Sequence, residues 1–159
     1  MTALHQPEPS HELRHLLQVL FRRFGVLATG ATPCGQPLQL AHAHALMVLL
    51  QEGELSQQAL GRVLGIDKSN VARLCARMAG VGHIQQRTSD QDLRSRRVAL
   101  TEKGMRLAQE VQAASQARFA AVLAEIPIES QATVLTALGQ LVAAMDRVPA
   151  VPPSPRRSS

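Results

Sequence analysis

The basic side chains of this 159-residue chain are concentrated in its middle, where they could bind a polyanion. Residues 61–106 hold ten Lys or Arg and four Asp or Glu, a net charge of +6, whereas the flanks together hold seven basic and eight acidic residues. Clustered basic side chains neutralise phosphates and release their counterions. A basic surface can also serve solubility alone, but its confinement to one segment favours nucleic acid as the partner.

Thiol and metal chemistry are less well supported by the residue spacing. Two cysteines, Cys34 and Cys75, are too few for a disulfide framework and suit a reducing compartment. We expect Cys75 to be a small buried apolar side chain and Cys34 to lie in a loop, where it could oxidise. His42 and His44 diverge by about 200° on a helix, and no further ligands stand at a suitable spacing. They are predicted to be structural or to line a ligand pocket, with no metal or cofactor.

Catalytic and membrane signals are also missing from the sequence. It contains no Ser-His-Asp arrangement, glycine-rich phosphate loop or metal-ligand cluster, so an enzyme is not predicted. No apolar run approaches the ~18 residues of a membrane span, and the first residues do not resemble a secretory signal. A cytoplasmic protein is therefore expected.

Helical periodicity and two turn signals predict a helix-turn-helix between residues 56 and 80. Ser56 is the expected N-cap of the first helix and Gly65 its end, while Asp67 caps the second helix, which Gly80 and Gly82 end. The buried stripe of the first helix is predicted to be Ala59, Leu60, Val63 and Leu64. The buried face of the second helix is predicted to be Val71, Leu74, Cys75 and Met78.

The segment that follows reads as a β-hairpin with a charged tip. "HIQQRT" (83–88) and "RRVAL" (96–100) are short runs with β-branched residues that flank "SDQDLRS" (89–95). A charged hairpin directly after a helix-turn-helix is a wing. The expected fold is mainly α with a small two- or three-stranded β-hairpin wing, and the wing loop would reach along DNA.

Apolar helices are predicted on both sides of this central unit, at 11–28 and 105–146. Ser10 is the expected N-cap of the first, Thr101 can cap the second region, and Pro127 breaks it. These helices are too apolar to stand alone, so a homodimer interface built from both termini is expected. Packing within one monomer is the alternative. Residues 1–10 and 147–159 are predicted to be disordered tails of a single domain.

Residues Leu38 to Gly104 resemble the MarR family of bacterial winged helix-turn-helix transcription regulators. "LGIDKSNVARLCARMAGVGHIQQR" is similar to the family's recognition helix, and "DLRSRRVALTEKG" is similar to its wing signature, which ends in Leu-Thr-x-x-Gly. Gln39 and His42 depart from residues common in the family. The resemblance implies a winged helix-turn-helix (38–104) flanked by dimerisation helices, and a homodimer that binds a pseudo-palindromic operator. It also implies a role typically as a repressor and sometimes as an activator, with release by a small aromatic or apolar effector or by oxidation.

The resemblance also points to individual DNA-binding residues. Asn70 and Arg73 suit adenine and guanine edges, and Ser56 and Gln57 open a helix whose amides suit a phosphate. The positions of the second helix expected to face DNA are Lys68, Ser69, Asn70, Arg73 and Arg77.

In the wing, Arg94 is expected to enter the minor groove, and Asp92 to hold the loop in shape. The other wing arginines, expected to contact the backbone or support the wing, are Arg87, Arg96 and Arg97. Two alternatives remain: a cysteine-based redox-responsive regulator of the same fold, and a winged-helix interaction protein that binds no DNA.

Overall fold

The computed structural model describes residues 8–27, 30–88 and 96–149. The elements in chain order are α1 (Pro9–Phe24), α2 (Leu40–Glu52), β1 (Leu55–Ser56), α3 (Gln57–Leu64), α4 (Lys68–Gly80), β2 (Ile84–Thr88), β3 (Arg96–Leu100), α5 (Glu102–Ala124) and α6 (Ile128–Arg147). The three strands form one antiparallel sheet in the order β1-β3-β2. The predicted fold class, mainly α with a small β wing, is therefore confirmed.

The chain divides into two compact units, Met1–Arg118 and Phe119–Ser159. The first unit contains the helix-turn-helix, the sheet and the apolar core. The second unit contains the end of α5 and all of α6. None of the described helices is both long and apolar enough to cross a membrane.

Capping side chains set the bounds of the two helices in the helix-turn-helix. The Ser56 hydroxyl accepts the N–H of Ala59 at 3.0 Å, and Gly65 ends α3 in the left-handed conformation with φ of 65°. The Asp67 carboxylate accepts the N–H of Asn70 at 2.8 Å and so begins α4. These local hydrogen bonds satisfy backbone donors that have no partner at the start of a helix. The predicted N-caps Ser56 and Asp67 and the predicted helix end at Gly65 are confirmed.

The core lies between α2, α3, α4 and the first turns of α5. All four residues predicted to face inward from α4 are buried, and they join Leu46, Leu49, Leu60 and Val98 in one apolar cluster. The prediction that Val63 belongs to the buried stripe is wrong, since 60% of it is exposed. Gly61 is buried instead, and a Cβ there would lie 3.1 Å from Cγ1 of Val71. This close approach turns α3 so that Val63 faces away from the core.

The predicted two-stranded hairpin is present, and a third strand, β1, joins its sheet. Strands β2 and β3 pair from Ile84↔Leu100 to Thr88↔Arg96, and β1 adds the pair Leu55↔Val98 on the other edge of β3. Ile84 and Val98 are buried, which anchors the sheet to the core. The predicted wing loop, with Asp92 and Arg94, lies outside the described residues.

A threonine and a glycine join α5 to the segment between α4 and β2. The Thr101 hydroxyl donates to the Gly82 carbonyl at 2.6 Å and accepts the N–H of Gly104 at 3.0 Å, which confirms Thr101 as a helix cap. The Thr101 N–H also donates to the His83 carbonyl at 3.1 Å. A Cβ on Gly104 would overlap the His83 carbonyl oxygen, so only glycine allows this approach.

The terminal helices differ from their predicted bounds. Helix α1 begins at Pro9, because proline suits the first helical position, and Ser10 lies inside the helix and does not cap it. Its hydroxyl donates to the Glu8 carboxylate at 3.3 Å. The helix ends at Phe24, where Gly25 adopts a φ of 81°. Pro9 and Ser10 therefore belong to α1 and not to a tail, and the predicted end at residue 28 is too late.

Helix α6 follows the predicted break at Pro127 and includes Arg147, which was assigned to the tail. The Gln131 side chain donates to the carbonyls of Leu123 and Ile126, both at 3.1 Å, and so ties the turn that precedes α6. Neither of the fully described helices α1 and α6 contains a buried residue.

We expect Gly104→Ala to lower the free energy of unfolding by about 1–3 kcal/mol, because the added methyl group would overpack against the backbone at His83. At an ordinary helix position, replacing glycine by alanine stabilises the helix by about 1 kcal/mol. At Gly104 we therefore expect a change in the free energy of unfolding of the opposite sign. Gly80→Ala is the matched control, because a Cβ there meets nothing within 4 Å. Urea denaturation measures both variants, and equal stabilisation by the two would contradict the assignment.

Candidate nucleic-acid interface

The outward face of α4 collects most of the polar residues predicted to contact DNA. At about 100° of rotation per residue, Ser69, Asn70, Arg73 and Arg77 lie within a sector of about 100°, and all four are exposed. Lys68 is exposed as well but lies about 100° from Ser69 by the same geometry, outside this sector. The sector is opposite the four buried side chains of the helix.

Small residues border this outward sector of α4. Ala72, Ala76 and Gly80 are spaced four residues apart along the helix, and Ala76 and Gly80 are exposed whereas Ala72 is half-buried. Small side chains let a helix axis approach another surface closely, and the long arginine side chains beside them reach further. Sequence reasoning missed this feature, although the four-residue spacing was its signal. A major groove admits an α-helix, and the exposed side of α4 has no bulky apolar residue among Ser69, Asn70, Arg73, Ala76 and Arg77.

A chain of hydrogen bonds runs along the exposed start of α4. The Asn70 Nδ2 donates to Asp67 Oδ2 at 2.6 Å, and Arg73 donates to Asn70 Oδ1 at 2.7 Å. The Ser69 hydroxyl donates to Asp67 Oδ1 at 2.7 Å. The Asn70 backbone N–H, followed by the Ser69 hydroxyl, lowers the pKa of the Asp67 carboxyl. The sequence indicates Asp67 only as a helix cap, and no pattern in it indicates the hydrogen bonds that join Asp67, Asn70 and Arg73.

Ser56 and Gln57, predicted to hold a phosphate, lie at the start of α3 and are half-buried. The Ser56 hydroxyl accepts the N–H of Ala59, so this oxygen serves the helix cap. Ser56 also pairs with Arg97 in the sheet. The start of α3 is thereby held against β3.

The described wing arginines have different environments. Arg87 and Arg96 are exposed, but the pairs Arg87↔Arg97 and Thr88↔Arg96 place them on opposite faces of the sheet. Arg97 donates from Nε to Glu54 Oε1 at 2.8 Å, and this ion pair joins β3 to the residue before β1. Arg97 therefore supports the wing.

The two histidines predicted to line a pocket are not brought together. His44 is exposed, whereas Nε2 of His42 lies 3.0 Å from Nδ1 of His83, and the two rings meet edge to face with centroids 5.1 Å apart. His83 is buried and follows α4, so this pair links α2 to the connection between α4 and the wing. His42 and His83 are 41 residues apart in the sequence, so no local pattern indicated that His83 would pair with His42.

Burial changes the titration of both histidines. The pKa of His42 is lowered by burial and then by the charges of His83 and Arg77. Burial, with a smaller contribution from the Lys103 charge, also lowers the pKa of His83. The hydrogen bond requires a lone pair on one of the two facing nitrogens, so protonation of both rings abolishes it.

The cysteines are both free, and their environments differ. Cys75 is buried, and burial raises the pKa of its thiol, which disfavours the reactive thiolate. The Cys34 sulfur is half-buried and lies 3.0 Å from the Thr32 hydroxyl oxygen. Among the described residues, no group of three or more His, Cys, Asp or Glu could hold a metal ion.

An open cavity of about 360 Å³ lies at the junction of β3 and α5. Its lining is formed by Leu100, Thr101, Glu102, Met105 and Arg106. The two histidines predicted to line a pocket, His42 and His44, are not part of it.

Comparison with solved structures supports the architecture derived above. The transcriptional regulator PcaV from Streptomyces coelicolor, solved in complex with its natural ligand, is similar at 22% identity, with a TM-score of 0.66 over 91% of this chain and 99% of that chain. Streptococcus pneumoniae FabT, solved in complex with DNA, is similar at 16% identity, with a TM-score of 0.69 over 87% of this chain and 95% of that chain. A MarR family protein from Bacillus stearothermophilus is 25% identical, with a TM-score of 0.66 over 86% of this chain and 95% of that chain. Comparison with curated proteins gives no match.

The capped helix pair, its outward basic helix and the following sheet define a winged helix-turn-helix protein. Residues 36–95 match the model of the MarR family. The resemblance to MarR-family transcriptional regulators is therefore confirmed: the central segment matches the family's model, and the fold of the chain is similar to the folds of these solved proteins.

We expect the stability of the protein to fall as the pH decreases below about 6.5, the ordinary pKa of histidine. Because the pKa values of both histidines are lowered in the folded protein, the unfolded chain binds protons more readily as the pH falls. The stability contributed by the neutral pair is therefore present above about pH 6.5, the ordinary value, and is lost as the pH falls below it. Thermal unfolding between pH 7.5 and 5.5 measures the effect.

His42→Gln should reduce this pH dependence, whereas His44→Gln, on the same helix but exposed, should leave it unchanged. An identical pH dependence in the wild-type protein and both variants would contradict the prediction.

Proposed function

We propose that the protein is a sequence-specific, DNA-binding transcriptional regulator that acts as a homodimer on a pseudo-palindromic operator, most simply as a repressor. The observation that carries this proposal is the outward face of α4, where exposed Arg73 and Arg77 stand beside small residues while the opposite face is buried. A helix built in this way can enter a major groove, with its arginines at base edges and phosphates.

The proposed contacts divide by position. Arg73 and Arg77 contact bases or phosphates in the major groove, with Ser69 on the same face and Lys68 at its margin. Ser56 and Gln57 place the start of α3 near a phosphate. Arg87 and Arg96 contact the backbone from the two faces of the wing, and Arg94, outside the described residues, enters the minor groove with Asp92 shaping its loop.

The homodimer is supported by exposed apolar faces on the terminal helices. Leu16 and Leu20 of α1 are 57% and 48% exposed, and Leu138 and Val142 of α6 are 45% and 60% exposed. Each helix shows several such residues at helical spacing, and exposed apolar faces of this kind mark protein interfaces. Two subunits with twofold symmetry would place two copies of α4 on an inverted repeat.

The similar proteins support both halves of this function. FabT is solved in complex with DNA and PcaV with its natural ligand, so we propose that this protein also binds DNA and is released by a small aromatic or apolar effector. Since its target is chromosomal DNA, it acts in the bacterial cytoplasm. PcaV is a transcriptional regulator, and no catalytic step is part of the proposal.

We expect the protein to select duplexes that contain an inverted repeat from a random library, and to bind them less tightly as salt increases. Each phosphate neutralised contributes about 0.9 to the slope of log affinity against log salt. If Arg77 contacts phosphate, Arg77→Ala should lower the magnitude of this slope by about two, one unit for each subunit of the dimer. Fluorescence anisotropy across a salt series measures it.

Arg147→Ala is the control for this experiment, because Arg147 is an arginine at the end of α6, outside the basic segment. It should leave the slope unchanged. Arg94→Ala should weaken binding to most sequences. A wild-type protein that selects no repeat and shows a slope near zero would be an interaction module and not a DNA-binding regulator.

We expect Leu20→Asp and Leu138→Asp each to convert the dimer into a monomer, because a buried carboxylate without a partner opposes association. Light scattering at micromolar concentration measures the mass. Val63→Asp is the matched control, since Val63 is a similarly exposed apolar residue but belongs to α3. Circular dichroism checks that each variant keeps its helices. A monomeric wild-type protein, or variants that remain dimeric, would contradict the proposed interface.

A further inference from the structure

The side-chain amide of Asn70 has a hydrogen-bond partner at each end. Its Nδ2 donates to Asp67 Oδ2 at 2.6 Å, and its Oδ1 accepts from Arg73 at 2.7 Å. The three residues are spaced at intervals of three along one side of α4, which brings neighbouring side chains into contact. Sequence reasoning paired Asn70 with adenine, but a bidentate contact of that kind needs both amide atoms.

The order of the residues gives this chain of hydrogen bonds a single direction. An ionised Asp accepts hydrogen bonds and cannot donate them, whereas the Arg guanidinium donates and cannot accept. Asp67 therefore turns the Nδ2 of Asn70 toward itself, and the Oδ1 must then face Arg73. Only this orientation of the amide satisfies all three side chains.

We propose that Asn70 is a positioning residue for Arg73, with Asp67 setting its orientation, and that Arg73 is the group that reads the base. This inference rests on the proposed function. Arg73 uses one terminal nitrogen for Asn70, and the guanidinium has five N–H donors, so donors remain for the O6 and N7 of guanine. A guanidinium already held in place loses less conformational freedom when it binds.

The charge of Asp67 supports the same assignment. An exposed carboxylate on a surface that approaches phosphates weakens association by like-charge repulsion, and Asn or Ser would cap a helix about as well as Asp. The negative charge is therefore unfavourable for DNA binding in general. One carboxylate oxygen of Asp67 caps the helix, and the other accepts a hydrogen bond from the Asn70 side chain. Capping alone does not require this second oxygen.

A double-mutant cycle tests whether Asn70 acts through Arg73. The measured quantity is the selectivity ratio, the affinity for a selected inverted-repeat duplex divided by that for a scrambled duplex at the same salt concentration. Arg73→Ala should lower this ratio about 5- to 150-fold per half-site, the discrimination of one bidentate contact. Asn70→Ala should lower it in the wild-type background and by less than about twofold in the Arg73→Ala background, since coupled residues are not additive.

Asp67→Asn provides a second test with opposite signs. The new amide keeps an oxygen for the Asn70 N–H, but its nitrogen would turn the Asn70 amide over and present an N–H₂ to Arg73. We expect affinity for scrambled DNA to rise, because a negative charge is lost, while the selectivity ratio falls. Asp67→Ser keeps the cap without the second oxygen and should also lower the ratio. Circular dichroism confirms that both variants retain α4.

The outcomes separate the two proposals. Equal losses from Asn70→Ala with and without Arg73 would mean that Asn70 reads a base itself, and would overturn the positioning role alone. If Asp67→Asn raised the affinities for the selected and the scrambled duplex equally, the selectivity ratio would not change. Asp67 would then act only through its charge, and the positioning role would be overturned as well. A wild-type ratio near one would remove both the positioning role and the proposed regulator.

Discussion

Burial of one face of α4 determines what the other face can do. Val71, Leu74, Cys75 and Met78 are each at most 2% exposed, and burying an apolar side chain of this size contributes about 1.5–3 kcal/mol. The hydrogen bonds at the start of the helix are exposed, so water competes for their donors and acceptors. The rotation of α4 about its axis is therefore fixed from inside. Arg73 and Arg77 face outward because their neighbours at helical spacing are held in the core.

The turn after α4 receives contacts from two other helices of the first unit. Lys103 donates to the Val81 carbonyl at 2.8 Å, Thr101 binds the carbonyl of Gly82 and His42 meets the ring of His83. Gly82 makes the turn possible with a φ of 76°. Because β2 starts directly after these residues, α2 and α5 together hold the point at which the wing leaves the helix-turn-helix.

Features determined by neighbouring residues could be predicted from the sequence, and features determined by distant ones could not. The caps at Ser56, Asp67 and Thr101, the inward face of α4 and the two hairpin strands follow from local hydrogen bonding and from periodicity. Val63 was misassigned because the rotation of α3 depends on the contact of Gly61 with Val71 across the turn.

The candidate site divides in the same way. The outward residues of α4 follow from helical spacing, but the pairing of His42 with His83 depends on tertiary structure. The hydrogen bonds of the Asn70 amide to Asp67 and Arg73 depend on the rotamers of all three side chains. Residue type alone does not determine these rotamers. A residue's chemical capacity is visible in the sequence, whereas the partner that uses that capacity is visible only in the structure.

In the proposed regulator, the distribution of charge and apolar surface along the chain fits two copies that act together. One recognition helix presents few base-reading side chains, and each bidentate contact discriminates by about 1–3 kcal/mol, which is modest against a genome of competing sites. Joining two such helices makes the second contact intramolecular and multiplies selectivity. The central segment carries the excess positive charge, while α1 and α6 carry exposed apolar faces. The proposed dimer surface and the proposed DNA surface are thereby kept apart in the sequence.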